Sequence, residues 1–380
     1  MGWYIPFARL SQTQQSTVDA VVRGIGNRSQ FISGFAGSGK SVVLANVLEK
    51  LRIQNPRASF AFVSYTHALV GMAKTALITG GLDPSLANGI SFSTVHSFKS
   101  SRNEYDYVFV DEVQDLEHTW LQAIRNKSRH VVLAGDYEQS IYDDRAPHSF
   151  MQQLFNPESY ELREVFRLTP SLKQVAISIN PDANRIVAAD PVNSVNADIR
   201  EVLFDDLEDE AKWVIDEASR RALAARPSAI LFSYHQEVKA FLGAVARLNG
   251  LRAPSGMPQN DLYTAYNELF AANNIPISFY GNSIGTLEHG EKGPHTYFMT
   301  IHSAKGLDFR NVFMPMLAST RSDMKPRVCF VGVTRSFENL FLSHTSDGPD
   351  SPFDDLPSNI VVKLTPSATT DVVDEDDIFF

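Results

Sequence analysis

The chain has 380 residues, 43% of them hydrophobic, more apolar material than one core normally takes, so two domains of ordinary size are expected. No apolar run approaches the roughly 18–20 residues that span a bilayer, and the opening MGWYIPFARLSQ lacks a basic stretch followed by an apolar one, which argues against a membrane or exported protein and for a cytoplasmic one. The single cysteine, Cys329, excludes an internal disulfide and any cysteine-clustered zinc or iron–sulfur site, and fits a reducing compartment.

The formal charge of −10 is unevenly spread. Of the 44 acids, nine lie in residues 346–380 together with one of the 34 bases, Lys363; residues 1–345 therefore hold 35 acids and 33 bases, a net of −2. A nearly neutral body leaves room for local basic grooves but predicts no strong non-specific affinity for nucleic acid.

In chain order, the first half alternates short β-rich runs with helical stretches, the pattern of an α/β unit with a parallel sheet. Helices are expected over 14–25, 40–52 and 67–79, and buried strands at ASFAFVSY (58–65), YDYVFVD (105–111) and HVVLAGD (130–136). The pattern restarts near residue 160. SAILFSY (228–234), IPISFYG (275–281), TYFMTIHS (296–303) and RVCFVGVT (327–334) read as strands, with helices near 170–179, 206–225, 235–248 and 261–273. The expected division is 1–158, 159–345 and an acidic tail, 346–380, rich in Asp, Ser and Pro and interrupted by a short strand at NIVVKL (359–364).

Two segments carry chemistry on their own terms. GFAGSGKS (34–41) follows QFIS and precedes SVVLANVLEKL, the strand–loop–helix context that a phosphate-binding loop needs. Its glycines, Gly37 and Gly39 among them, let backbone N–H groups around Ser38 approach phosphates, Lys40 reaches the terminal phosphates, and the Ser41 hydroxyl ligates Mg²⁺. Asp111 and Glu112 end the next buried strand; one acid is needed to hold Mg²⁺ and a second to orient and deprotonate the attacking water.

Gln114 and Asp115, which follow that pair, narrow the field, and the chain from about residue 10 to 345 resembles superfamily 1 helicases of the UvrD, Rep and PcrA type. LSQTQ (10–14) is similar to the adenine-recognition motif, with Gln14 in the reading position. SYTHA (64–68) and STVHSF (93–98) resemble single-strand contact motifs, which implies Tyr65, Thr66, Thr94 and His96 as nucleic-acid contacts. DEVQD (111–115) resembles the Walker B motif, and GDYEQSIY (135–142) the coupling motif, whose Gln139 would sense the γ-phosphate. EVFRL (164–168) would supply Phe166 to stack on adenine and Arg167 as an arginine finger. TIHSAKGLDF (300–309) and VGVTRSFENLFLS (331–343) match the last two motifs, implying Thr300, His302 and Ser303 as strand contacts, Gly306 and Asp308 near the nucleotide, and Arg335 as a second finger.

The resemblance implies two tandem RecA-like P-loop NTPase domains with ATP in the cleft between them, Lys40 and Glu112 from the first and Arg167 and Arg335 from the second. Opening and closing of that cleft would follow the γ-phosphate, whose charge the arginines contact. The function implied is an ATP-dependent, 3'-to-5' single-stranded DNA translocase or helicase; polarity rests on the resemblance alone, and DNA against RNA stays open. Two other readings remain: a nucleic-acid-stimulated NTPase serving a nuclease, defence or repair complex, and an adaptor recruiting repair proteins through its tail.

This chain departs from the family in three places. Twelve residues separate Phe98 from Asp111 and eighteen separate Gly281 from Thr300, where the family inserts accessory subdomains; both are expected to be absent. The family follows QSIY with a residue and then an aromatic on which a base stacks, whereas this chain has Asp144 there. The end, DVVDEDDIFF (371–380), resembles the C-terminal tip of bacterial single-stranded DNA-binding proteins. It offers a protein partner an acidic stretch from Asp371 and an aromatic anchor at Phe380; a solvated tail and a cover for the chain's own groove are the other readings.

Overall fold

The computed structural model describes residues 5–65, 67–79, 84–141, 144–181, 184–281, 284–317, 326–345, 353 and 356–364. Two compact units result, Met1–Leu168 with Ala183–Asn193, and Thr169–Asp182 with Ser194–Phe380.

The first unit is built on β1 (Gln30–Gly34), β2 (Phe60–Ser64), β3 (Ile90–Thr94), β4 (Tyr105–Val110), β5 (Ser128–Gly135) and β6 (Glu158–Leu162), all parallel, in the order β3-β2-β4-β5-β1-β6. Alternate side chains of these strands feed two separate cores, as a sheet covered on both faces requires. Ile32, Phe60, Phe62, Phe109 and Val132 pack with the helices Gln12–Gly24 and Lys40–Gln54. Phe31, Ala61, Val63, Val108 and Val131 pack on the other side with the helices His118–Asn126 and His148–Phe155. The strand order matters for the site: β5 lies between β4 and β1, so the chain leaving β5 stands between the phosphate loop after β1 and the acids after β4.

The break between units falls later than 158. Residues 158–162 form β6, which pairs in register with β1, and a short parallel pair, β7 (Glu164–Val165) with β8 (Asp190–Pro191), keeps the following segment with the first unit. Arg167, expected from the second domain, therefore belongs to the first.

The second unit holds β9 (Asp198–Phe204), β10 (Ser228–Phe232), β11 (Ile277–Phe279), β12 (Thr296–Thr300), β13 (Phe309–Met314), β14 (Ser336–Thr345) and β15 (Val362–Leu364), parallel, in the order β11-β12-β10-β13-β14-β9-β15. One expectation is overturned. RVCFVGVT is not a strand but the helix Pro326–Val333, with Val328 to Val333 all buried, and the strand comes after it as β14. An apolar run of this length fits a buried strand and a buried helix equally. Part of the expected tail is likewise structural, since β15 adds to the sheet edge on β9. No accessory subdomain interrupts the described residues between Phe98 and Asp111, where only a turn and β4 intervene, and the helix Glu288–Lys292 stands between β11 and β12. Among the described residues no helix is long and apolar enough to cross a membrane.

Candidate nucleotide site and strand-binding residues

The phosphate loop takes its shape from two glycines. Gly37 (φ 77°) and Gly39 (φ 85°) occupy the left-handed region, and Gly39 caps the helix that begins at Lys40. A Cβ on Gly37 would lie 2.9 Å from Cβ of Arg167, and one on Gly39 would lie 2.4 Å from Nε2 of Gln14. The loop is thus held between two segments. On one side, Gln14 donates from Nε2 to the Ser38 carbonyl at 3.0 Å, itself fixed by a capping box with Ser11. On the other, the Phe166 N–H donates to the Gly37 carbonyl at 3.0 Å. Ser11 joins the two segments by donating its hydroxyl to Glu164. Gln14, Phe166 and Arg167 are therefore gathered around residues 37–41, with the Phe166 ring partly exposed.

Lys40 is buried, and its ammonium donates to the carbonyls of Gly34 (2.8 Å) and Phe35 (3.1 Å). Asp111, at the end of β4, is buried beside it. Burial pushes the Asp111 carboxyl up to about 7, with the Glu112 charge adding to the rise; the Ser41 hydroxyl, the Lys40 charge and the Glu112 N–H pull the other way. Ser41, Lys40 and Asp111 are thus one cluster. Glu112 sits in the left-handed region (φ 54°), a costly conformation for a residue with a side chain, and its N–H donates to Asp111 at 3.0 Å.

Gln114 is fully buried and works at both ends of its amide. Nε2 donates to the Glu112 carboxylate, and Oε1 accepts the Asp136 N–H at 2.9 Å. The Asp136 carboxylate in turn accepts from Gln139 Nε2 at 2.7 Å. A continuous chain of polar groups, buried from Gln114 to Gln139 and half-buried at Glu112, runs from the acids after β4 to the segment after β5. Sequence reasoning used Gln114 only to narrow the family and did not single out Asp136.

Further along the same strand ends, Tyr65 accepts a hydrogen bond from Arg145 Nη2 at 3.0 Å, and the Arg145 guanidinium lies over the Tyr65 and Trp120 rings at 5.1 and 5.3 Å. Arg145 also pairs with Glu117 at 2.9 Å. His96, exposed, packs edge-on against Trp120 at 4.7 Å. Thr94 caps the helix Val95–Ser100 by accepting the Ser97 N–H. The structure so brings Tyr65, Thr94 and His96 to one end of the sheet; Thr66 lies outside the described residues.

In the second unit, Thr300 repeats the Thr94 arrangement, capping Ile301–Ala304 through the Ser303 N–H at 3.2 Å. Gly281 packs so closely on Ser303 that an added Cβ would lie 2.4 Å from its hydroxyl. His302 is half-buried beside them. Gly306 is left-handed (φ 82°), and two residues on, Asp308 lies 3.9 Å from the guanidinium of Arg335. Arg335 is buried and donates to the carbonyls of Val331 (3.0 Å) and Leu307 (3.2 Å) and to the Thr334 hydroxyl (3.3 Å).

A family model described as the viral superfamily 1 RNA helicase core domain matches residues 30–223, just over half of the chain, and one described as the UvrD-like helicase C-terminal domain matches 295–343. The chain belongs to the superfamily 1 helicases. The expected resemblance to UvrD-like members is borne out, and so is the fold class: a mixed α/β chain of P-loop, RecA-like units with parallel sheets. Among curated relatives of this chain, DNA helicase II of Rickettsia typhi is 22% identical over 306 residues, 76% of this chain and 39% of its own length. The chain therefore spans well under half of that relative. Among solved structures, the Arterivirus nonstructural protein 10 helicase is 17% identical with a TM-score of 0.47, covering 92% of this chain and 64% of its own. Its complex with DNA is 16% identical with the same TM-score, covering 90% and 64%.

Proposed function

We propose that this helicase-family chain is an ATP-driven motor on single-stranded nucleic acid, moving 3'-to-5' along DNA or unwinding it. The observation that carries the reading is the largely buried polar connection from Lys40 and Ser41, which act on Asp111, through Glu112 to Gln114, Asp136 and Gln139. Such a chain has a use where an event at one end must be felt at the other.

The donor set fits ATP and Mg²⁺. The loop holds two left-handed glycines, and the buried Ser38 hydroxyl has no hydrogen-bond partner among the described residues. Asp111 is an acid whose ionisation burial opposes and a cation would favour. Ser41 and Asp111 would hold the metal, which when bound neutralises charge on the transferred phosphoryl group. Lys40 would hold the terminal phosphates, Glu112 would take the proton of the attacking water, Gln139 would sense the γ-phosphate, and Arg167 would stabilise transition-state charge. Gln14 and Phe166 are the proposed adenine contacts, and Gly306, Asp308 and Arg335 the nucleotide contacts of the second unit. Proposed strand contacts are Tyr65, Thr66, Thr94 and His96 in the first unit and Thr300, His302 and Ser303 in the second.

A second reading, a nucleic-acid-stimulated NTPase acting within a larger complex, is favoured by one observation: an exposed Asp144 stands where the family stacks a base. Both readings are tested by steady-state ATP hydrolysis with no polymer, with single-stranded DNA and with RNA of matched length, at low and moderate salt, using Glu112→Gln as the blank. Stimulation by DNA that fades with salt supports the motor. Stronger stimulation by RNA moves the substrate to RNA, and a rate indifferent to both polymers sinks the strand-coupled reading.

A further inference from the structure

The ends of the parallel strands opposite the nucleotide site carry a second basic feature. A cavity of about 280 Å³ is lined by the turn Ile25, Gly26, Asn27, Arg28 and Ser29, which leads into β1, and by Arg125, Arg129, His130, Phe155 and Asn156. Every part of this wall comes from the first unit. Arg129 and His130 lie at the start of β5, whereas Gly135 and the polar chain through Asp136 lie at its end, so the cavity and the phosphate loop occupy opposite edges of one sheet.

Arg28, Arg125 and Arg129 are all exposed, and among the described residues no carboxylate pairs with them. Asp106 is the acid whose charge acts on Arg129 and His130, but its carboxylate already accepts from the Ser59 N–H and hydroxyl, both at 2.9 Å. His130 stacks on Tyr107 at 5.1 Å. Three helices end near this wall, after Gly24, Asn126 and Phe155, and their carbonyl ends favour cations. Each such end is worth roughly −0.5 charge, about −1.5 together. Asp106 adds one further negative charge, so three guanidinium charges against about −2.5 leave the wall slightly positive.

We propose that this cavity binds a phosphate group. Guanidinium forks match phosphate oxygens with paired, charge-assisted hydrogen bonds; the Asn27 and Arg28 N–H groups of the turn already donate to the Gly24 carbonyl, so the arginines carry the recognition. Its volume lies just under the roughly 300–1,000 Å³ typical of small-molecule sites, enough for a phosphate or pyrophosphate group rather than a whole dinucleotide. The phosphate is either free or borne on the end of a polynucleotide strand. The assignment is independent of the motor reading, because the site shares no residue with the phosphate loop.

The test is calorimetric titration of the full chain with pyrophosphate and with inorganic phosphate in a Lys40→Ala background, where the phosphate loop has lost its ammonium. One equivalent is expected to bind, and Arg125→Gln with Arg129→Gln is expected to weaken binding by at least about tenfold, with the circular-dichroism melt confirming the fold. Arg28→Gln alone is the second variant should the double one unfold. Displacement of pyrophosphate by a 5'-phosphorylated oligonucleotide, and not by its 5'-hydroxyl counterpart, identifies a strand-borne phosphate; displacement by neither identifies a free one. No binding up to about 1 mM, or binding untouched by the arginine changes, overturns the proposal and leaves the arginines as partners of the helix ends alone.

Discussion

Gln114 and Asp136 are joined through one hydrogen bond, 2.9 Å from the Asp136 N–H to the Gln114 side-chain oxygen, and the other end of the same amide holds Glu112. Gly135 makes this possible: a Cβ there would lie 2.3 Å from the Gln114 oxygen. Replacing Gln114 by Ala leaves a buried N–H without its acceptor, at about 1–3 kcal/mol, and frees Glu112. The expected result is a fall in ATPase kcat of roughly tenfold or more with KM for ATP little changed, since among the described residues Gln114 makes no hydrogen bond to the phosphate loop. A kcat equal to wild type in a folded variant would show that the link is structural only.

The contact between Gly39 and Gln14 gives a second prediction. Gly39→Ala places a side chain in a left-handed conformation, at about 1–2 kcal/mol, and drives its Cβ into the Gln14 amide that holds the Ser38 carbonyl. A drop in melting temperature of several degrees is expected, together with loss of the further rise that ATP and Mg²⁺ are expected to give the wild-type protein if the proposed nucleotide site is occupied. An unchanged ATP-dependent rise would contradict the placement of Gln14 at the nucleotide.

What was legible in the sequence was what lies close together along the chain. The phosphate loop was readable because glycine spacing, Lys40 and the helix after it form one local unit. Thr94 and Thr300 entered only as strand contacts that the resemblance implies, and their capping of short helices was not read: TYFMTIHS (296–303), expected to be a strand throughout, leaves the sheet at Thr300 and continues as the helix Ile301–Ala304. Contacts between distant segments were not readable: nothing in LSQTQ announces that Ser11 bonds Glu164, and nothing in DEVQD names Asp136 as a partner. VCFVGV was misread as a strand because its apolar content satisfied either period. The signal available was Gly332, whose missing Cβ admits Met314 at 2.8 Å and Ile301 at 3.1 Å, a close approach that a buried helix exploits. The break at 158 failed because a strand at the edge of the first sheet, β6, looks the same in sequence as one opening the second.

Asp144 is exposed and immediately precedes Arg145, which covers Tyr65 and Trp120. An aromatic at 144 would add a stacking face to this edge, worth roughly 1–3 kcal/mol per base, and would remove a charge that repels phosphate. Asp144→Trp is therefore expected to tighten binding of a fluorescently tagged single strand by about tenfold or more, with a smaller gain for Asp144→Asn, which removes only the charge. Equal affinity for wild type and both variants, read by anisotropy, would place the strand away from this edge.

The outer edge of the second sheet is tied by charge, and that tie sets a pH dependence. Glu201 on β9 meets His344 on β14 at 3.1 Å and Lys363 on β15 at 3.1 Å. The hydrogen bond to Glu201 raises the His344 imidazole above its usual 6.5, and the same bond, with Lys363, lowers Glu201 below its usual 4.5. For the raised histidine, the contribution to stability is complete below 6.5 and is lost as pH climbs through its folded value; for the lowered glutamate, it is complete above 4.5 and is lost as pH falls through its folded value. The pair contributes fully only between those two limits. The buried Glu210 faces His344 as well and acts in the same direction. His344→Gln should therefore lower the melting temperature by a few degrees at about pH 6 and by progressively less as pH climbs through the folded value of the wild-type imidazole. Both groups are partly exposed, which keeps the effect near or below about 1 kcal/mol. Lys363 holds Glu201 over this climb, so β15 should stay docked throughout, and a melting difference that grows as pH climbs would reverse the assignment of the proton to His344.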